Sequence, residues 1–283
     1  MMRNPYRTQK IAFFFMFLAT LLIVVPVGLI VVVIIQKGLP AINWQFLTDI
    51  PRQGMRAGGI FPAIVGTVYL VLGAILFALP IGLMAAIYLS EYARDNFLTR
   101  MIRLAIVNLA GVPSVVYGLF GLALFVVFFK FGVSILSGSL TLAIMILPII
   151  ITTSREALES VPYSFREVSY SLGASKWQTI RNIVLPNAIP GILTGTILGL
   201  GRAAGETAPI LFTVAAFYLP QLPGSILDQA MALPYHLYVI STQVPNVDEK
   251  VRYGTALVLL TLVLFMNLVA IIIRYQFRKK KKW

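Results

Sequence analysis

Arg202 and Glu206 stand four positions apart in "GLGRAAGETAPILF", residues 199–212, inside an otherwise apolar stretch. An arginine presents a planar fork of N–H donors that fits a phosphate-like oxyanion in bidentate fashion. A carboxylate repels a fully deprotonated oxyanion but accepts a hydrogen bond from one that keeps a proton near neutral pH. Thr207 adds a hydroxyl, and Pro209 leaves the carbonyl of Gly205 without its usual helical donor. Read as chemistry, this is a station for a protonated oxyanion, in which Arg202 attracts and Glu206 selects or resets the site. The plain alternative is an i,i+4 ion pair that neutralises itself. Its Arg-before-Glu order is the weaker one, worth a few tenths of a kcal/mol on an exposed helix, and a buried pair is seldom a net stabiliser.

The depth of the pair makes it expensive. Twelve residues separate Pro190 from Arg202, or about 18 Å of helix. That places Arg202 near the midplane of a membrane span, where a lone charge costs roughly 2.5–3.5 kcal/mol. Gly191, Gly195 and Gly199 recur every four residues, and Gly201 and Gly205 repeat the spacing on an adjacent line. Such faces let another helix or a solute approach the backbone.

The rest of the chain has the composition of a membrane protein. Of its 283 residues, 59% are hydrophobic and only 12% charged, about half the charged fraction usual in soluble domains. Six apolar segments stand out, at roughly 11–35, 62–89, 104–129, 139–153, 188–216 and 252–273. The fourth is short, but "TTSREALES" can continue its helix into water. The first is too long for a signal peptide and lacks a cleavage pattern after it, so it is expected to be retained. Pro26, Pro80, Pro113, Pro148 and Pro209 fall inside these spans and are expected to bend them. The absence of cysteine excludes disulfides, thiol chemistry and cysteine metal sites. No cofactor or metal is expected.

The formal charge of +13 is distributed along the membrane topology. Sixteen Lys and Arg fall in the N-terminal tail, 90–103, 154–187 and the C-terminal tail, against six in the alternate connections. The positive-inside rule then places both termini in the cytoplasm. The tail "RKKKKW" reads as an orientation signal that also meets anionic lipid, and nucleic acid is not the expected partner.

Residues 154–187 are too long and too patterned for a simple connector. "FREVSYSL" is helical in character, Gly173 offers a break, Ser175 can cap a second helix, and Pro186 is expected to end it before the next span. Phe165, Val168 and Leu172 make an apolar stripe beside Arg166 and Glu167. Periodicity leaves open whether that stripe packs on the chain's own spans or meets a partner.

Spacing carries a resemblance. Glu167, Gly173, Ile183, Leu185 and Pro186 fall in register with the EAA-x3-G-x9-I-x-LP signature of bacterial ABC importer permeases, with Val168 and Ser169 replacing the two alanines. In that family the loop is the coupling helix that docks on the ATP-hydrolysing subunit. No G-x4-G-K-[ST] phosphate loop is present, and "GLGRAAG" fails the dinucleotide fingerprint. "RAAGETAPILFT" together with "NLAGVPSVVYGLFGLALF" (108–125) is similar to phosphate-uptake permeases of the PstA type. The resemblance implies an all-α, six-span, MetI-like type I permease with no catalysis of its own, in the bacterial or archaeal cytoplasmic membrane. A tail, first span and outer loop would occupy 1–61, the permease core 62–273, and a basic tail 274–283. It implies a PstC-like second permease, a PstB-like ATPase dimer and a PstS-like extracytoplasmic phosphate-binding protein. Arg202 and Glu206 match the family's arginine and glutamate implicated in moving phosphate. A permease for another oxyanion or small polar solute is the alternative.

Other polar residues read more plainly. His236, the only histidine, is expected at a surface or interface, with "YHLYVI", Asp228 and Gln229 in a short helix of the outer loop. Glu91 is expected to pair locally with Arg94. Asn108, Ser114, Thr194 and Thr196 are expected to hydrogen-bond between helices. An intramembrane enzyme using Glu206 lacks any partner constellation, and a passive channel would leave the docking loop without a purpose.

Overall fold

The computed structural model describes residues 5–279; Arg3 and the lysines at 280–282, counted above for orientation, lie outside the described residues. The chain runs through α1 (Pro5–Gly38), α2 (Trp44–Thr48), a two-residue hairpin of β1 (Pro51–Arg52) and β2 (Ala57–Gly58), α3 (Phe61–Ile87), α4 (Phe97–Leu109) and α5 (Ser114–Gly121). It continues with α6 (Ile135–Glu159), α7 (Tyr163–Ser171), α8 (Lys176–Thr179), α9 (Leu185–Gly205), α10 (Ala208–Thr213), α11 (Leu233–Thr242) and α12 (Glu249–Lys279). β1 and β2 are antiparallel, with Pro51 opposite Gly58 and Arg52 opposite Ala57.

Among the described residues, five helices are long and apolar enough to cross a membrane; α4 and the α5 segment make a sixth if that bent pair is one span. The pair is bent by 103°, so the span expected over 104–129 with a bend at Pro113 forms as two helices meeting at a sharp elbow. Gly111 and Pro113 flank the break, and Pro113 disfavours helical backbone at the residue before it. Pro113 then serves as the N-cap of α5.

The core is a sandwich of α3, α6 and α9. The buried side of α3 carries Thr67, Leu70 and Val71 together with small residues such as Ala74, Ala78, Gly82 and Ala86, and α6 lies alongside it in parallel. Gly73 packs on Ser139 and Gly82 on Ile150. Helix α9 runs antiparallel to α6, with Gly191 on Ala157 and Gly195 on Thr153. The glycine line 191/195/199 is therefore a helix–helix seam. Helix α12 lies on the other side of α9, and α1 packs on its outer end, where Gly38 meets the backbone of Tyr253. Most of α1 and of the apolar stretch of α12 is unburied.

The extension of the fourth segment through its polar tail is borne out, since α6 reaches Glu159. The expected stop at Pro186 is corrected: residues 176–205 form one continuous helical run. Proline is accommodated because a π turn over Ile180–Val184 comes just before it, with the N–H of Leu185 donating to the carbonyl of Ile180.

Candidate functional site

Helix α9 ends at Gly205, and Glu206 caps it with extended backbone (φ −78°, ψ 135°). The expected single span over 188–216 is thus broken at the glutamate. Pro209 contributes because it has no N–H to donate to the Gly205 carbonyl, and it falls in the first turn of α10. Arg202 falls in the last turn of α9, so its charge faces the negative end of the helix dipole. Its Nε lies 3.6 Å from Glu206 Oε1, and the two side chains are 31% and 19% exposed. That separation exceeds an N–H···O hydrogen bond. The pair therefore spans a helix end, partly open, with hydrogen-bonding capacity left on both groups. Thr207 is half-buried and occupies the N-cap position of α10 without a side-chain capping bond.

The level of the pair follows from its neighbours. Gly199 lies against Ile146 and Ile150, near the middle of α6. Gly201 faces the amide of Asn267 on α12, whose buried Oδ1 has no hydrogen-bond partner. One more polar tie joins the same two helices, where Arg274 donates to the Thr194 hydroxyl at 3.1 Å. Thr196, by contrast, bonds Ile192 on its own helix. Asn108 is exposed and Ser114 begins α5 at the elbow.

The two segments carrying the substrate resemblance meet in space. Gly118 of α5 lies against the Ala208 carbonyl and Pro209 Cα, and Gly121 against Thr141 of α6. The buried Tyr117 hydroxyl donates to the Leu109 carbonyl at 2.7 Å, latching α5 to α4 across the elbow. Tyr117 also lies within electrostatic reach of Arg202.

At the other end of the bundle, the loop of residues 160–187 folds as a helix, a turn and a second helix. Gly173 supplies the left-handed turn (φ +82°), a conformation that glycine adopts without penalty. Ser175 and Gln178 form a reciprocal capping box for α8. Of the stripe expected on α7, Phe165 packs on the cluster beneath it, whereas Val168 and Leu172 are 60% and 84% exposed. Tyr163 and Trp177 are exposed elsewhere on the same loop. Glu167 and Pro186 are exposed; Ile183 and Leu185 are half-buried.

The buried face of α7 carries Arg166 and Ser169 instead. The expected Glu91–Arg94 pairing is corrected: Glu91 binds Arg166, 75 residues away, with Nη2–Oε1 at 2.7 Å and Nε–Oε2 at 3.4 Å. The surface position expected for His236 is also corrected. It lies in α11, 3% exposed, and burial pushes its imidazole down to about 4. Asp228 lies before α11, accepting the N–H groups of Gly224 and Ser225.

Residues 78–283 match the family described as binding-protein-dependent transport system inner membrane component. The chain belongs to that family. Its permease character extends to curated relatives: it is 33% identical over 266 residues to YqgI of Bacillus subtilis (strain 168), a "probable ABC transporter permease protein", covering 89% of this chain and 90% of that one. It is 35% identical over 272 residues to the phosphate transport system permease protein PstA of Mycobacterium leprae (strain TN), covering 94% and 88%. A bacterial ABC transporter involved in import of the acidic polysaccharide alginate has the same fold, with a TM-score of 0.66, 14% identity, and 99% of this chain against 100% of that one. The permease is thus an all-α ABC importer subunit of the type I, MetI-like class expected from its loop signature.

Three residues of this permease had no role in the sequence reading. Tyr117 was within a quoted segment, but its link to Leu109 needs the elbow. Asn267 was hidden in an apolar helix, where a lone amide was itself a signal. Arg166 stood beside the apolar stripe, and nothing local reveals a partner on another span.

Proposed function

We propose that this permease forms half of the translocation pathway of an ATP-driven inorganic phosphate importer. The observation that carries the reading is the partly open Arg202–Glu206 pair at the broken end of α9, with the Ala208–Pro209 segment closed over by Gly118 of α5. Relatives named for phosphate transport at 33–35% identity support the choice of solute. The guanidinium fork binds two phosphate oxygens, and the Glu206 carboxylate accepts a hydrogen bond from the proton that monohydrogen or dihydrogen phosphate keeps. Sulfate has no such proton to give. Thr207 supplies a third polar contact at the same break. The pathway chemistry is electrostatic, with no bond made or broken.

ATP hydrolysis belongs to a separate ATP-binding subunit dimer. Val168 and Leu172 form the exposed apolar knob that meets it, on a loop whose shape is set by Gly173 and by Ile183, Leu185 and Pro186 at the root of α9. Glu167 lies on the exposed side of the same helix. A second permease completes the pathway, and an extracytoplasmic phosphate-binding protein delivers the solute at the opposite face. Both termini lie in the cytoplasm of a cell whose inner membrane holds the complex.

The test is phosphate uptake by the reconstituted complex. Arg202→Ala is expected to abolish ATP-driven uptake with assembly intact. Glu206→Gln is expected to weaken discrimination of phosphate against sulfate. Normal uptake and selectivity in both variants would remove the pair from the pathway, and uptake of another oxyanion in place of phosphate would change the solute.

A further inference from the structure

Arg166 makes four hydrogen bonds from one buried guanidinium. Two go to Glu91, in the π turn (Tyr88–Tyr92) that ends α3. The others go to the carbonyls of Leu158 at 3.0 Å and Val161 at 2.8 Å, at and just beyond the end of α6. The side chains of Arg166 and Glu91 are 8% and 7% exposed. A largely buried charge pair is favourable only where its geometry and further hydrogen bonds are good. This one has two such further bonds, and it joins three separate helices at a single point.

We propose that Arg166 is the strut that makes α3 and α6 move with α7, the first through its ion pair with Glu91 and the second through its two carbonyl bonds, so that force on the docking helix reaches the site at Arg202. It rests on the reading of α7 as the ATPase-docking helix. The covalent route from α7 to α9 passes through the left-handed turn at Gly173, where the N–H of Ala174 donates to the Ser169 carbonyl at 3.2 Å. The Ser169–Thr179 hydroxyl contact, 2.8 Å long, and the packing of Phe165 on the cluster that holds Val184 and Ala188 also restrain α7, with less directional strength than an ion pair. Beyond the strut, every link is a close contact. Helix α3 lies on α6 through Gly73–Ser139 and Gly82–Ile150, α6 lies on α9 through Ala157–Gly191 and Thr153–Gly195, and α9 ends at Arg202. Close-packed small-residue seams of this kind shift as units rather than deform. Arg166 and Glu91 are therefore positioning residues, not contacts of the solute.

The design of the contact suggests its own test. Glu91 ties α7 to α3, whereas the two carbonyl bonds tie α7 to α6 and do not involve Glu91. Glu91→Leu removes the first tie alone and leaves the exposed knob untouched. In the complete complex reconstituted in vesicles, it is expected to retain the ATP-binding subunit and to go on hydrolysing ATP. Phosphate accumulated per ATP hydrolysed is expected to fall by roughly tenfold, within the range usual for coupling between separate sites. Glu91→Gln keeps one acceptor for the guanidinium and should fall between, and Glu91→Asp should recover most of the ratio. An unchanged ratio in Glu91→Leu and Glu91→Gln overturns the strut. Loss of the ATP-binding subunit from both variants also overturns it, because the pair would then only shape the docking surface. If the unaltered permease binds no ATP-binding subunit, the functional reading falls with it; failure confined to the variants falls on the strut alone.

Discussion

Gly118 of α5 and Ala208 of the GETAP segment touch where a side chain would not fit. A methyl group at 118 would stand 2.9 Å from the Ala208 carbonyl oxygen and 3.0 Å from Pro209 Cα, both backbone atoms with little room to yield. Gly118→Ala is therefore expected to push α5 off the break beside Glu206, costing about 1–3 kcal/mol as overpacking usually does. Thermal unfolding in detergent measures the loss, and phosphate uptake should fall with it. An unchanged melting temperature would mean that α5 and α10 are not held as described.

Gly195 and Gly205 lie on the same helix and make opposite predictions. A methyl group at 195 would overlap the Thr153 side chain, which is branched at Cβ and stiff. At 205 it would meet nothing within 4 Å. Gly195→Ala should separate α9 from α6 and lower stability by roughly 1–3 kcal/mol. Gly205→Ala should leave stability within about 0.5 kcal/mol of the unaltered chain. Reversal of that order in paired melting curves would contradict the α6–α9 seam.

Arg202 and Glu206 were legible in the sequence because a charge in an apolar run is a local anomaly. The turn at Gly173 and the cap at Ser175 were equally legible, since both depend on residues within three positions of each other. The breaks at Pro113 and Pro209 were announced by the prolines but read as bends, because uninterrupted hydropathy on either side argued for one span. What stops the helix is local backbone chemistry, the restricted residue before Pro113 and the N–H that Pro209 lacks, and hydropathy registers neither. Glu91 and Arg166 could not be matched at all, since each had a nearer charge and the bond that forms crosses two spans. His236 was misplaced for a related reason: its burial depends on how a loop covers the bundle.

Replacing Arg202 by lysine separates charge from shape. Lysine keeps the positive charge but offers a point donor in place of a planar fork. Arg202→Lys should therefore support uptake that is slower by roughly tenfold, equivalent to about 1.4 kcal/mol, where Arg202→Ala supports none. The measurement is initial phosphate uptake at saturating ATP. Full activity in the lysine variant would show that charge alone serves the pathway.

His236 ties stability to pH through its burial. In the unfolded chain its imidazole titrates near the ordinary 6.5, and in the fold at about 4, with burial the cause. Between those values the unfolded chain takes up a proton that the folded chain refuses. Above pH 6.5 both states hold neutral imidazole, and this group contributes no pH dependence. As pH falls through the window the fold loses stability, and below about 4 the loss levels off at about 3 kcal/mol. His236→Gln has no group that titrates there. Melting curves of the two chains should diverge as the pH is lowered from about 7 toward 4.5, with the histidine chain losing more. Parallel curves over that range would mean that the imidazole is reached by water in the fold.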